Sequence, residues 1–325
     1  MGFDSLGVRM PLPPCATDMR DAFFVELNAI AAADRDVVLL TDDQGAFALE
    51  WLRKNLPNQY FNAGIAEQNM VSVAAGMALA GKLPVLYGIA TFMTMRAYEQ
   101  IRDDLCAMGL PAVIVASGAG YMYSGDGPTH HAVQDVALMR TLPNMAILNP
   151  SDAASTIAFV KEGCSRRAGP TYVRIEKGVL GAIYPDGHDF SRGFSVLTSG
   201  EDVAIAATGI MVHMALETAE KLRVSGVHAS VVDVYRLKPV DAQALMVELS
   251  RSRYIATLEE HSVIGGLGSI VSEAAADYGR ATNIKRFALP DKFAFSYGTR
   301  EWLHAQDGLS SELVAKQITR WVTGK

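Results

Sequence analysis

Cysteine is scarce. Cys15, Cys106 and Cys164 are odd in number, far apart and without metal-ligand spacing, which excludes a disulfide framework and points to reduced thiols in a cytoplasmic protein. Basic clustering is equally thin: no Lys/Arg run exceeds Arg166-Arg167 and the formal net charge is -6, so nucleic acid is not an expected partner. Uncharged apolar runs never reach the roughly 18 residues of a membrane span. Residues 1–20, with Asp4, Pro11, Pro13, Pro14 and Asp18, lack the charged start and apolar core of a signal peptide. Fixed-period repeats and low-complexity tracts are missing too.

What is present suits a large α/β protein. The chain has 325 residues, half of them hydrophobic, with 28 glycines and 8% aromatics. That exceeds the usual size of one core and predicts two domains. A helix is predicted from Thr17, as its N-cap, to about Ala33, followed by a short apolar strand at 36–41. Strands at 84–90, 112–117, 145–148 and 171–175 then alternate with helices near 93–108, 133–141 and 151–166. Strands that are apolar throughout and alternate with helices indicate a parallel sheet covered on both faces. Glycines and Pro185 between Lys177 and Ser199 mark a linker. A second series follows, with strands at 202–208, 226–234, 253–260 and 283–290 and helices near 210–225, 241–250, 267–279 and 310–323. The expected fold is α/β in two domains, 1–185 and 195–325, each a mainly parallel sheet flanked by helices.

Residues 61–81, FNAGIAEQNMVSVAAGMALAG, set Glu67 at the head of an almost wholly apolar helix. After Asn69 only Ser72 and Gly76 interrupt the hydrophobic run, so the helix is expected to be buried on all sides. A carboxylate in the first turn is favoured by the helix dipole, but a buried one needs a partner or a proton.

A second candidate is the polar loop GAGYMYSGDGPTHHAVQD, residues 118–135, after the strand at 112–117. Loops at the carboxyl ends of parallel strands are where α/β sheets bind ligands. Gly118 and Gly120 form a G-x-G, yet Tyr123 breaks the dinucleotide fingerprint. Asp126, Thr129, His130 and His131 bring donors, acceptors and a titratable imidazole, without metal-type spacing. Asp126 as a plain turn residue and the histidines as loop caps are the bland alternatives. The GDG at 125–127 has no Asn at the distance that a metal-diphosphate motif requires, and IGGLGS at 264–269 suits close packing as well as phosphate.

Taken together, GIAEQ at 64–68, TFMTMRAYEQI at 91–101, DGPTHH at 126–131, VRIEKG at 173–178 and LEEHSVIGGLGS at 258–269 resemble, in order and over nearly the whole chain, the superfamily of transketolase and 1-deoxyxylulose-5-phosphate synthase. The resemblance implies thiamine diphosphate as cofactor. It places Glu67 on the carboxylate that bonds the aminopyrimidine ring and so activates the coenzyme, with Ile65 in the same cofactor-binding motif. Phe92 matches the aromatic packed on that ring and Tyr98 one lying close by, although either suits an ordinary core. Met95 stands where transketolases tend to have a further aromatic. His130 and Asp126 coincide with residues that orient sugar hydroxyls and handle a proton. Arg174 falls where an arginine meets the substrate phosphate, its plain alternative being an ion pair at a strand end.

The same resemblance implies that the diphosphate-binding half, with its Mg²⁺ site, lies on another chain. This chain is then one subunit of a split transketolase that transfers a two-carbon ketol unit between sugar phosphates. Its expected partner is the N-terminal-half subunit, in an α2β2 heterotetramer. Competing readings are the β subunit of a 2-oxoacid dehydrogenase, a deoxyxylulose-phosphate synthase-like condensation and a non-catalytic regulatory subunit.

Overall fold

The structure, a computed structural model, describes residues 18–45, 49–279 and 283–324. Helix α1 (Met19–Ala33) begins at Asp18, whose carboxylate accepts from the N–H groups of Arg20 and Asp21. Such a cap satisfies donors that the first helical turn leaves free. The cap expected at Thr17 lies outside the described residues. There follow β1 (Val37–Thr41), α2 (Leu49–Asn55), β2 (Tyr60–Asn62), α3 (Glu67–Leu79) and β3 (Leu83–Ile89). The helical stretch expected near 93–108 contains a short α4 (Tyr98–Gln100) between wider π-type turns at Phe92–Arg96 and Ile101–Ala107. The first series closes with β4 (Ala112–Ser117), α5 (Asp135–Arg140), β5 (Ala146–Leu148), α6 (Ala153–Ser165) and β6 (Pro170–Ile175).

The second series opens with β7 (Ser195–Thr198), β8 (Val203–Ala207), α7 (Met211–Val224), β9 (Ala229–Asp233) and β10 (Arg236–Lys238). It continues with α8 (Ala242–Leu249), β11 (Tyr254–Ser262), α9 (Leu267–Tyr278), β12 (Asn283–Leu289), α10 (Arg300–Gln306) and α11 (Ser311–Thr323). Five elements have no sequence signal of their own: α2, β2, β7, β10 and α10. Each is too short for its periodicity to stand out. Among the described residues no helix is long and apolar enough to cross a membrane.

Both domains are mainly parallel sheets flanked by helices. The first has seven strands in the order β10-β5-β6-β4-β3-β1-β2, the second five in the order β12-β11-β8-β9-β7. Only β10 and β7 run antiparallel to their neighbours. The β10 strand comes from the second half of the chain yet pairs with β5 of the first sheet, so the two domains are stitched together rather than joined by the 177–199 segment alone.

One buried ion pair lies on that seam. Arg174, on β6, gives Nε to Asp135 at 2.7 Å and Nη2 to the carbonyls of Ala132 and, in the second domain, Glu260. Tyr172 adds its hydroxyl to the same carboxylate at 2.7 Å. Burial alone would raise the Asp135 carboxyl, but Arg174, His261 and Tyr172 hold it below the usual carboxylate range. Removing one member of a buried pair leaves the other uncompensated. Asp135→Ala is therefore expected to lower unfolding stability by about 3–5 kcal/mol, read from urea midpoints at constant slope.

Candidate functional site

In the first sheet β4, β3, β1 and β2 lie side by side, and their carboxyl ends present one shelf. Asp42 follows β1, Glu67 follows β2, Phe92 follows β3 and the 118–131 loop follows β4. This is where parallel sheets hold ligands.

Glu67 is the first residue of α3 and is 1% exposed. The turn before it is held by Asn62, whose Oδ1 accepts from Gly64 N–H while its Nδ2 donates to Asp43. The carboxylate is paired: Arg96 Nη1 lies 2.7 and 2.8 Å from its two oxygens. Four residues before Arg96 and one helical turn back, Phe92 presents its ring, and the Arg96 guanidinium carbon sits 4.3 Å above the centroid. His130 meets the same ring at 5.1 Å and 72°. Its Nδ1 is 3.0 Å from Thr129 Oγ1, which leaves Nε2 for a ligand. Glu67, Phe92 and His130 thus come together from three segments far apart in sequence.

The other expected residues fare differently. Asp126 is exposed on the turn four residues before His130. Ile65 is 77% exposed on the turn leading to Glu67. Tyr98 does not join the cluster: it lies six residues beyond Phe92, on another side of the helical stretch, and its hydroxyl bonds Thr141 at 2.7 Å. Arg174 requires the clearest correction. Only 3% exposed, it has Nε and Nη2 committed to Asp135 and two carbonyls, so it pins the fold where a substrate-phosphate contact was expected. The α3 helix is also not buried all round. Met70, Val71, Ala74 and Ala78 pack inward, whereas Val73 and Leu79 are exposed, because nothing among the described residues covers that side.

The two glycine-rich motifs receive physical explanations. A Cβ on Gly118 would strike the Tyr123 ring, and one on Gly120, where φ is +56°, would strike the Glu260 carboxylate. Both glycines make room for neighbours. Glu260 belongs to β11, accepts from Tyr121 N–H at 3.0 Å and is itself held by Arg300 and His304, so the second domain props the site loop from below. At IGGLGS the N–H groups of Leu267 and Gly268 donate to buried Glu259 at 2.6 and 2.7 Å. An internal carboxylate holds that helix start, and burial pushes its pKa up to about 7. The adjacent histidines diverge: His131 is 3% exposed and lies edge-on to Tyr121, and burial lowers its pKa.

Two site residues went unread in the sequence. Arg96 was detectable in principle, since a buried acid needs a cation and the i,i+4 step from Phe92 places one over the ring. Asp42, 6% exposed, accepts from Ile89 N–H through Oδ2 at 3.3 Å, while Oδ1 has no partner among the described residues. Burial first, and then the nearby Glu67 charge, push its pKa up to about 6. No group of three or more His, Cys, Asp or Glu among the described residues is arranged to hold a metal.

Comparison with known proteins places this geometry. The transketolase pyrimidine-binding domain family matches residues 16–182, and the transketolase C-terminal domain family matches residues 194–312. The 1-deoxy-D-xylulose-5-phosphate synthase of Crocosphaera subtropica is 34% identical over 314 residues, which cover 95% of this chain and 48% of the synthase. The chain thus spans about half the length of the synthases it matches. A Methanocaldococcus jannaschii protein provisionally named a transketolase C-terminal section is 35% identical over 285 residues, covering 87% of this chain and 89% of that one. Among solved structures, a split-gene transketolase described as an inactive beta4 tetramer superposes with a TM-score of 0.85 at 36% identity, over 94% of this chain and 98% of its own. Campylobacter jejuni transketolase, at 17% identity and a TM-score of 0.80 over 97% of this chain and 48% of its own, shares the fold.

Asp42 makes the site sensitive to pH. Its folded-state pKa of about 6 stands above the ordinary carboxylate value of 3.8, so between those values the fold holds a proton that the unfolded chain has released. The stabilisation present below the lower value is lost as pH rises through the upper one. Asp42→Asn is expected to abolish that decline, on the order of 2–3 kcal/mol, in denaturant midpoints taken from pH 4 to 7.

Proposed function

The chain belongs to the transketolase family, and from that premise we propose that it is the half of a split transketolase that carries the pyrimidine end of thiamine diphosphate. The reaction we assign is transfer of a two-carbon ketol unit from a ketose phosphate donor to an aldose phosphate acceptor. The observation that carries this reading is Glu67: a carboxylate 1% exposed, at a helix start, beside an aromatic ring and an imidazole on the ligand-binding edge of the sheet.

The residues present fit the aminopyrimidine group. Glu67 offers a buried acceptor for a ring nitrogen, Phe92 a flat face, and Asp42 an oxygen that meets no donor among the described residues. Thiamine diphosphate, when bound, would supply the electron sink that lets a carbon–carbon bond next to a carbonyl break. Glu67 would hold the ring by a hydrogen bond and Phe92 would fix its plane. His130, oriented by Thr129 through Nδ1, holds or moves a proton at Nε2, and Asp126 meets a sugar hydroxyl. Arg174, with Nε and Nη2 held by Asp135 and two carbonyls, we assign to the fold and not to the phosphate.

The diphosphate and Mg²⁺ we assign to a partner, the N-terminal-half subunit, in an α2β2 heterotetramer set in the cytoplasm. Three observations support a partner. The Methanocaldococcus jannaschii protein named as a transketolase C-terminal section is matched over 89% of its own length. The α3 helix leaves Val73 and Leu79 exposed, with Ile65 before it, and obligate interfaces resemble a core cut in two. The split-gene relative bears the description of an inactive tetramer of one chain type, which supports inactivity of this chain by itself. A synthase-like condensation of pyruvate with an aldose phosphate is the second reading, favoured by the names of several relatives.

Purification with its native partner, followed by assays with xylulose 5-phosphate and with pyruvate, separates the two. Ketose turnover is expected only with both chains, thiamine diphosphate and Mg²⁺ present. Glu67→Gln should lower kcat by roughly 10²–10⁴-fold with the fold intact. Full activity in that variant rejects the assignment, and turnover with pyruvate in place of xylulose 5-phosphate as the donor to an aldose phosphate selects the second reading.

A further inference from the structure

We propose that Arg96 is a latch on the ring pocket, taking for itself the two contacts that an aminopyrimidine needs, so that the ring enters only when the Arg96 side chain swings outward. This rests on the reading of the pocket given above.

The geometry is one of direct competition. Nη1 of Arg96 straddles the Glu67 carboxylate at 2.7 and 2.8 Å while the guanidinium carbon lies 4.3 Å above the Phe92 centroid. Guanidinium and aminopyrimidine share a design: each is flat, delocalised and edged with N–H donors. Only one such plane can cover this face of Phe92 and reach Glu67 at the same time. His130, packed at a steep angle to the same ring, limits how far an incoming ring can shift sideways.

Arg96 is also free to leave. Its side chain is 42% exposed although its partner is 1% exposed, and among the described residues its hydrogen bonds go to Glu67. It sits in the wide-turn segment Phe92–Arg96, at the rim of the shelf. A buried carboxylate stripped of its cation is strongly disfavoured. The latch therefore opens only to a ligand that brings its own donor to Glu67, and it discriminates against flat apolar molecules that merely stack on Phe92.

The full chain is titrated with a neutral probe, 4-amino-2,5-dimethylpyrimidine, which carries neither diphosphate nor thiazolium charge, and affinity is read by ligand-observed NMR. Arg96→Met, which keeps the side-chain stem, is expected to bind at least tenfold more tightly than the unaltered protein. Equal affinity, weaker binding, or binding to neither form overturns the latch. A measurement without substitution runs alongside: at saturating probe, Arg96 of the unaltered protein should react faster with phenylglyoxal, scored by peptide mass spectrometry, and unchanged or slower reaction overturns the proposal as well. Adding Glu67→Gln to Arg96→Met separates the two levels. If that change fails to weaken probe binding, the pocket reading itself falls; if Glu67 matters but Arg96→Met binds no better than the unaltered protein, only the latch falls.

Discussion

A buried acid must be given a counter-charge or a donor, and around Glu67 that requirement organises the site. The carboxylate is placed by the start of α3, where the turn at Asn62 and Gly64 aims the helix into the sheet. Its charge is answered by Arg96, and Arg96 in turn lies on Phe92, whose ring touches His130. Each contact supports the next because all of them sit on the carboxyl edge of four adjacent strands. A parallel sheet puts those ends together whatever their separation in the chain.

The second domain is part of this arrangement although it contributes no residue to the cluster. Glu260 enters beneath the 118–131 loop, takes the Tyr121 N–H and is held by hydrogen bonds from Arg300 and His304. Burial pushes its carboxyl up, but Arg300 first and then His304 hold it well below the usual range. Gly120 is the condition for that approach, since any side chain there would collide with the carboxylate. Arg174 ties the same region to β11 from the other side. Paired, hydrogen-bonded charges of this kind hold a loop in one place because no shifted arrangement satisfies them.

The exposed side of α3 carries apolar residues beside the site. A helix with so little polarity buries one face against the sheet and leaves Val73 and Leu79 uncovered, and the most exposed apolar residue near the site, Ile65, continues the same surface. Small residues at Ser72 and Gly76 keep it flat, with nothing near the position a Gly76 Cβ would take. A flat apolar strip beside a ligand edge is well shaped to receive another polypeptide against it.

Much of this was legible in the residue order. Apolar strands alternating with helices dictated two parallel sheets because only strands buried on both faces can be hydrophobic throughout. The motifs around Glu67, Phe92 and His130 named residues that the fold then gathers at one edge. What the tertiary structure alone decided concerns partners. Arg174 sits at the end of β6 and Arg96 in the helical stretch after β3, yet one is locked to Asp135 inside the protein and the other covers Phe92 at the rim. The difference lies in which acid each side chain reaches across the sheet, a distance in space that spacing along the chain does not contain. For the same reason Glu259, rather than a phosphate, holds the start of α9, and β10 crosses to the first sheet: pairing energy depends on where chains meet after folding.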